Sequence, residues 1–219
     1  PEATVEFKDI IRGKVAFNAA LMGDIVIAKD ASSPLFSLAG VIDDELMEIS
    51  HVIRGEDHLP NTPKQILLQH ALGFKEVLYA HLPLILAPDR SKLSKRFTDT
   101  SLLDYRTKGF LPEAIINFLA LLGWHPKDDM EILFEKDLIE KFDLGRVQKG
   151  GAIFNREKLE WLQGEHLKKL DTAEIAKKIK LLLDGKEAQV SSELLKRVIE
   201  AQRARIKSLG EFAEEIRFF

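Results

Sequence analysis

Lys92-Leu93-Ser94-Lys95-Arg96 places three cations within five residues, just after an apolar run that reads as a buried strand. Ligands of open parallel sheets bind beyond the carboxyl ends of the strands. A cationic loop there can close over a triphosphate and offset the charge that builds up during displacement at phosphorus. The same charge pattern also describes a solvated basic loop. Arg54-Gly55-Glu56-Asp57-His58 lies at a second strand end. Glycine lets a ligand approach the backbone, and a nearby carboxylate can bind ribose hydroxyls. Arg54 can pair with a substrate carboxylate through two parallel N–H bonds. A polar turn with an internal Arg–Asp pair accounts for these residues equally well.

Metal chemistry has weaker support. His51, His58 and His81 fall on different elements without zinc-site spacing. Asp43-Asp44 has the chemistry to bind Mg²⁺, but two acids closing an apolar run are more often a turn. The 219 residues contain no cysteine, which excludes disulfides and thiolate zinc sites and is compatible with a reducing cytoplasm. A net charge of −3 requires a nucleic-acid binder to concentrate its cations on one face. No apolar stretch approaches the roughly 20 residues that span a bilayer. The first residues do not read as a signal peptide. The start without Met and the apolar Phe218-Phe219 end suggest a fragment.

These candidates need strand ends to stand on. Residues 1–55 carry strand character, in the β-rich run Asp24–Lys29, the apolar run Leu35–Ile42 closed by Asp43-Asp44, and Glu48–Ile53, with turn residues at Asp30-Ala31-Ser32-Ser33-Pro34 between the first two. A helix then starts at Thr62-Pro63, with Thr62 as a plausible N-cap, and stops at Gly73. Ala80–Leu86 reads as a buried strand. Strand, helix, strand at this spacing predicts a βαβ unit with parallel strands. Beyond residue 100 the pattern turns helical. Pro112 opens a helix through Ile115, Ile116, Leu119 and Leu122. Others cover Glu135–Phe142 and start near Asn155. From Asp171 the chain is helical and charged, with a break near Asp184-Gly185 and a cap at Ser191 or Ser192.

The ordered set carries more weight than any single motif. His51-Val52-Ile53-Arg54-Gly55-Glu56-Asp57-His58, Asn61-Thr62-Pro63-Lys64-Gln65, Ala80-His81-Leu82-Pro83-Leu84-Ile85-Leu86 and Lys92–Arg96 follow one another closely. Together they resemble the second half of the catalytic domain of bacterial glutamyl-tRNA synthetases, a class I family. The resemblance continues through Tyr105-Arg106, Gly109–Ala114, Asn117–Trp124, Phe142-Asp143-Leu144 and Lys158–Leu162, and covers roughly residues 1–170.

The resemblance implies a Rossmann-like α/β fold followed by all-α parts. Residues 1–100 would hold the end of a connective insertion and the second half of the catalytic domain. Residues 101–170 would form the domain contacting the tRNA stem, and 171–219 the start of a helical anticodon-binding domain. It implies a glutamate–tRNA ligase that activates L-glutamate with ATP and Mg²⁺ and transfers it to tRNA(Glu), as a cytoplasmic monomer without bound zinc in this segment. Lys92–Arg96 would be the KMSKS-type loop, with Lys92, Ser94 and Lys95 at ATP and Lys95 acting on the phosphates as pyrophosphate leaves. Gly55 and Asp57 would face the ribose, and the backbone of Leu84, Ile85 and Leu86 would lie near adenine. Arg54 and the residue at position 36 would bind glutamate. Arg146 and Lys149 would meet tRNA phosphates.

Three departures stand out. The family's His-x-Gly-His element occurs nowhere in the sequence and is expected upstream. Phe36 stands where tyrosine is usual, either as a substrate contact without its hydroxyl or as a core residue. Gln163-Gly164 replaces Asn-Gly, with an expected minor effect. The alternatives are a non-charging RNA-binding or tRNA-modifying paralogue, which would lack the helices after 171, and a glutaminyl-tRNA synthetase, whose anticodon region would be β-barrel. Assayed alone, this chain is expected to give no glutamate-dependent pyrophosphate exchange above background; exchange above background overturns that expectation.

Overall fold

The computed structural model describes residues 4–93, 101–183, 190–202, 205 and 207–216, with Glu215 by its backbone alone. By packing, the chain forms two compact units. Residues up to Leu84 join Asp143–Gly151 in the first, and Ile85–Phe142 join the residues from Ala152 onward in the second.

The first unit is a mixed four-stranded sheet with helices. Strands β1 (Thr4–Asp9) and β2 (Gly13–Asn18) form an antiparallel hairpin. Helix α1 covers Phe36–Leu46, β3 covers His51–Gly55, and a 3₁₀ segment Glu56–Asn61 leads into α2 (Thr62–Leu72). Strand β4 (Leu78–Leu82) lies between β1 and β3 and is parallel to both. The predicted βαβ unit is therefore β3–α2–β4. Helix α2 ends at Gly73 with φ +70, the left-handed conformation that glycine adopts without strain. Its start differs from the expectation: Asn61 is the N-cap residue, and buried Thr62 opens the helix. Val5, Ile66 and Tyr79 form the core, with Phe7 edge-on to Tyr79 at 5.7 Å.

Two strand expectations fail here. Leu35–Ile42 is not extended. Its last residues belong to α1, where Leu38, Val41 and Ile42 follow helical i, i+3, i+4 spacing and Val41 is buried. Asp43 and Asp44 lie inside this helix rather than in a turn. Asp24–Lys29 contains only an isolated bridge, Ala28 to Pro34, around the turn that Asp30 holds by accepting from Ser32 N and Oγ.

Ala80–Leu86 is likewise not one strand. Pro83 has no N–H for a ladder, and the Leu84 N–H is donated to the Glu56 carboxylate at 2.9 Å. The chain leaves the four-stranded sheet at Leu82. Its next residues, β5 (Ile85–Leu86), pair with β6 (Ala152–Ile153) in the second unit.

The second unit is otherwise helical. Its helices are α3 (Leu102–Thr107), α4 (Pro112–Leu121), α5 (Glu135–Lys141), α6 (Arg156–Leu167), α7 (Thr172–Lys180), α8 (Ser192–Gln202) and α9 (Leu209–Ile216). Three helix starts read from the sequence carry side-chain caps, of which only that at Ser191 was expected as a cap. Asn155 accepts from Lys158 N, Asp171 from Glu174 N, and Ser191 Oγ from Leu194 N. The break expected at Asp184-Gly185 lies outside the described residues. Helix α4 buries Ala114, Asn117, Phe118 and Leu121, whereas Ile116 and Leu119 of the predicted stripe are exposed. Asn117, a polar residue in the buried stripe, hides the true face from an apolar count. One core joins Leu111, Ala114 and Leu167 to Ile175, Ile179, Leu195, Ile199, Phe212 and Ile216.

Gln163 departs most from expectation. It is fully buried, accepts from Leu111 N at 2.8 Å and donates to Gly109 O at 3.3 Å. That carbonyl also accepts from Leu209 N at 3.1 Å, at the start of α9. The backbones approach so closely that a Cβ on Gly109 would stand 2.4 Å from Gly210 N. Gln163→Ala, which strands the Leu111 N–H and opens a small cavity, is expected to lower the unfolding free energy by about 2–4 kcal/mol in urea titration; an unchanged midpoint and slope would contradict this role.

Candidate functional site

Three neighbouring strands of the first unit each contribute one polar side chain to a buried chain of hydrogen bonds. Asp9 ends β1, His81 is on β4, and Arg54 is the residue of β3 paired with His81. Asp9 and His81 are 1 % and 0 % exposed. Asp9 Oδ2 lies 2.6 Å from His81 Nδ1, and Arg54 Nε donates to His81 Nε2 at 3.2 Å. Arg54 Nη2 donates to Thr62 Oγ1 at 2.9 Å and to Gln65 Oε1 at 2.7 Å, both at the start of α2.

This network assigns His81 its tautomer. An Nε2 that receives the Arg54 N–H must hold a lone pair, so the proton sits on Nδ1 and is donated to Asp9. Burial pushes the His81 pKa below 6.5, against the opposing pull of Asp9. Burial works to raise that of Asp9, but N–H donors from Arg12, His81 and Ile11, with the His81 ring, hold it below 3.8. Burial lowers the Arg54 pKa from its ordinary value. An arginine stays charged after such a shift. Its guanidinium carbon lies 5.7 Å from the Tyr79 ring centroid.

With Nε and Nη2 bound internally, the two-bond carboxylate pairing expected of Arg54 is not open along that edge. Nη1 makes no hydrogen bond to the described residues. Beside it, Gly55 matters for space rather than backbone conformation, since its φ is an ordinary −66. A Cβ there would stand 2.5 Å from Asp57 Oδ1. Glycine thus lets the exposed Asp57 carboxylate fold back over the strand end. Glu56 points the other way. It fixes the Leu84 backbone and forms an ion pair with Arg12, whose Nε donates to His81 O at 3.4 Å.

Phe36 is 56 % exposed at the first turn of α1, with its ring 5.4 Å from His58, so it is not a core residue. Arg146 and Lys149 are exposed in the first unit, and Lys149 lies near the β1–β2 turn at Gly13. In the second unit, Ile85 and Leu86 pair with the described start of the cationic segment, Lys92 and Leu93. Leu93 N donates to Ile85 O at 3.0 Å and Lys92 bridges to Leu86. Ser94 and Lys95 lie outside the described residues. Among the described residues no cluster of three or more metal-ligating side chains occurs, and no helix is long and apolar enough to cross a membrane.

Asp9, Thr62 and Gln65 are not among the site residues expected from the sequence, and His81 enters there only as a candidate metal ligand. A signal was available. Asp9 continues the inward phase of Val5 and Phe7 on β1, and Gln65 follows Thr62 by three on the buried face of α2. A polar residue at a core phase needs a buried partner.

The shifts imply an acid sensitivity. His81 and His166 both have pKa values lowered by burial, so the unfolded chain takes up protons near 6.5 that the folded chain resists. Their contribution to stability is complete above pH 6.5 and is lost as pH falls below it. The contribution of Asp9 is lost only below pH 3.8. The thermal midpoint is therefore expected to fall from pH 7 to pH 5 in scanning fluorimetry; a midpoint that rises over this interval would contradict the neutral assignment.

Residues 1–161 match the family described as tRNA synthetases class I (E and Q), catalytic domain. Over 99 % of its length the chain is 46 % identical to a glutamate–tRNA ligase of Moorella thermoacetica, and 43 % to one of Aquifex aeolicus. It covers 45 % and 46 % of those proteins, so it spans about half the length of the curated relatives it matches. A crystal structure of a glutamate tRNA ligase from Elizabethkingia meningosepticum, in complex with its amino acid, superposes with a TM-score of 0.87 at 35 % identity. The match covers 99 % of this chain and 47 % of that one.

Proposed function

The chain belongs to the class I tRNA synthetases (E and Q), and on that premise we propose that it is a segment of a glutamate–tRNA ligase. In the reaction, a carboxylate oxygen of L-glutamate attacks the α-phosphorus of ATP and pyrophosphate leaves, giving glutamyl-adenylate. A ribose hydroxyl of tRNA(Glu) then attacks the acyl carbon and AMP leaves. Mg²⁺ enters with ATP as part of the substrate. Support comes from the convergence of Arg54, Gly55 and Asp57 at the carboxyl end of β3, beside a parallel strand, where such sheets bind ligands.

In this reading Arg54 contacts glutamate through Nη1, with Phe36 nearby. Gly55 and Asp57 take the ribose, the backbone of Leu84, Ile85 and Leu86 the adenine, and Lys92, Ser94 and Lys95 the phosphates. Residues 1–100 serve catalysis, 101–170 contact the tRNA stem and 171–219 begin the anticodon domain. Arg146 and Lys149 would meet phosphates. The resemblance also supports a cytoplasmic monomer. The helices α7, α8 and α9 favour this reading over a shortened tRNA-modifying paralogue and over a glutaminyl enzyme with a β-barrel anticodon region.

The test uses the whole ligase. Lys95→Ala is expected to slow glutamate-dependent pyrophosphate exchange about a hundredfold or more while the glutamate KM changes little, because the charge acts on the transition state. A raised glutamate KM at an unaltered rate would sink the assignment.

A further inference from the structure

Arg54 is a candidate substrate-binding cation whose orientation is set by a residue that can present either a donor or an acceptor. His81 receives Arg54 Nε–H at 3.2 Å only while Nε2 is bare, and Thr62 Oγ1 stands 3.1 Å from the same nitrogen. The proton is kept on Nδ1 by Asp9 Oδ2 at 2.6 Å. The other oxygen, Oδ1, accepts three backbone N–H groups, from Ile11 at 3.0 Å, Arg12 at 2.8 Å and His81 at 3.3 Å. The carboxylate is therefore fixed in place independently of the ring. On the faces of the ring, Tyr79 stacks at 6.1 Å between centroids, with an interplanar angle of 15°. The ring can neither rotate freely nor exchange partners with water.

We propose that Asp9 and His81 act as a positioning pair for substrate carboxylate binding, with Asp9 selecting the His81 tautomer whose bare Nε2 turns the Arg54 guanidinium so that Nη1 faces the ligand. This rests on the reading that Arg54 contacts glutamate. Neither member of the pair needs to touch the substrate. What they supply is the direction of a donor, and Thr62 and Gln65 complete the cradle by holding Nη2.

Asp9→Asn in the whole ligase separates orientation from support. The asparagine keeps Oδ1 for the three backbone donors but puts an NH₂ group opposite His81 Nδ1. To accept from it, the ring must move its proton to Nε2, which then faces Arg54 Nε–H donor to donor. The expected result is a glutamate KM raised about tenfold to a hundredfold, as for a lost charge-assisted hydrogen bond. The ATP KM and the kcat at saturating glutamate should shift much less. Arg54→Lys is run in parallel. If it leaves the glutamate KM unchanged, the reading of Arg54 fails and the pair fails with it. If it raises the KM while Asp9→Asn does not, the positioning pair alone is refuted. Should Asp9→Asn not fold, ¹⁵N shifts of the His81 ring in the parent ligase decide: a protonated Nδ1 with a bare Nε2 supports the pair, and a protonated Nε2 overturns it.

Discussion

The hydrogen bond between Asp9 and His81 sits where the first unit has least backbone holding it together. Strands β1 and β4 share a single paired position, Asp9 opposite Tyr79. An ordinary parallel ladder would tie them over several residues. Here the Ile10 N–H bonds Tyr79 O at 2.8 Å, and one carboxylate adds to that tie, its Oδ1 accepting both from the β1–β2 turn and from the β4 backbone. A buried charge is costly unless every lone pair is engaged. Four donors meet that demand, and the fourth is the imidazole that continues inward to Arg54. The sheet junction and the candidate site are thus one network.

A second acid governs how the chain leaves the sheet. Glu56 lies between Gly55 and Asp57, as the first residue of the 3₁₀ segment that follows β3. Its carboxylate takes the Leu84 N–H and the Arg12 guanidinium. Pro83 has already ended the ladder, so this bond gives the Leu84 amide the partner that a longer strand would have offered. The apolar segment after His81 is therefore split between two sheets. A stretch that looks like one buried strand serves as an exit.

The second unit uses neutral amides for the same purpose. Asn117 Oδ1 accepts from Leu133 N at 2.9 Å, its Nδ2 donates to Glu131 O at 3.0 Å, and His166 Nε2 lies 3.0 Å from Oδ1. Gln163 does likewise for Leu111 and Gly109. Both side chains reach from a packed helix into an irregular segment whose backbone groups are buried. Amides fit because each can accept and donate without a desolvated charge. The close approach of Gly109 and Gly210 then brings α9 against the α3–α4 turn, where any Cβ would collide with backbone.

Much of this was readable from residue order alone. Pro and Gly marked both ends of α2, and Asn155, Asp171 and Ser191 marked helix starts, because capping is a local property of a few consecutive residues. The βαβ unit was readable for the same reason. So was the family, from four ordered motifs, although the stretch carrying Lys95 lies outside the described residues. Other features required the tertiary structure. Leu35–Ile42 looked extended because the packing of α1 on α2, not its composition, decides its state. Gln163 looked incidental, and nothing beside His81 in sequence pointed to Asp9 or Arg54 as its partners. A side chain's partner 54 or 72 positions away cannot be read from its neighbours in sequence. What the sequence determined was which groups are present and which local elements they begin or end. Which buried polar atoms meet, and hence which way Arg54 points, was decided only when burial removed water as the alternative partner.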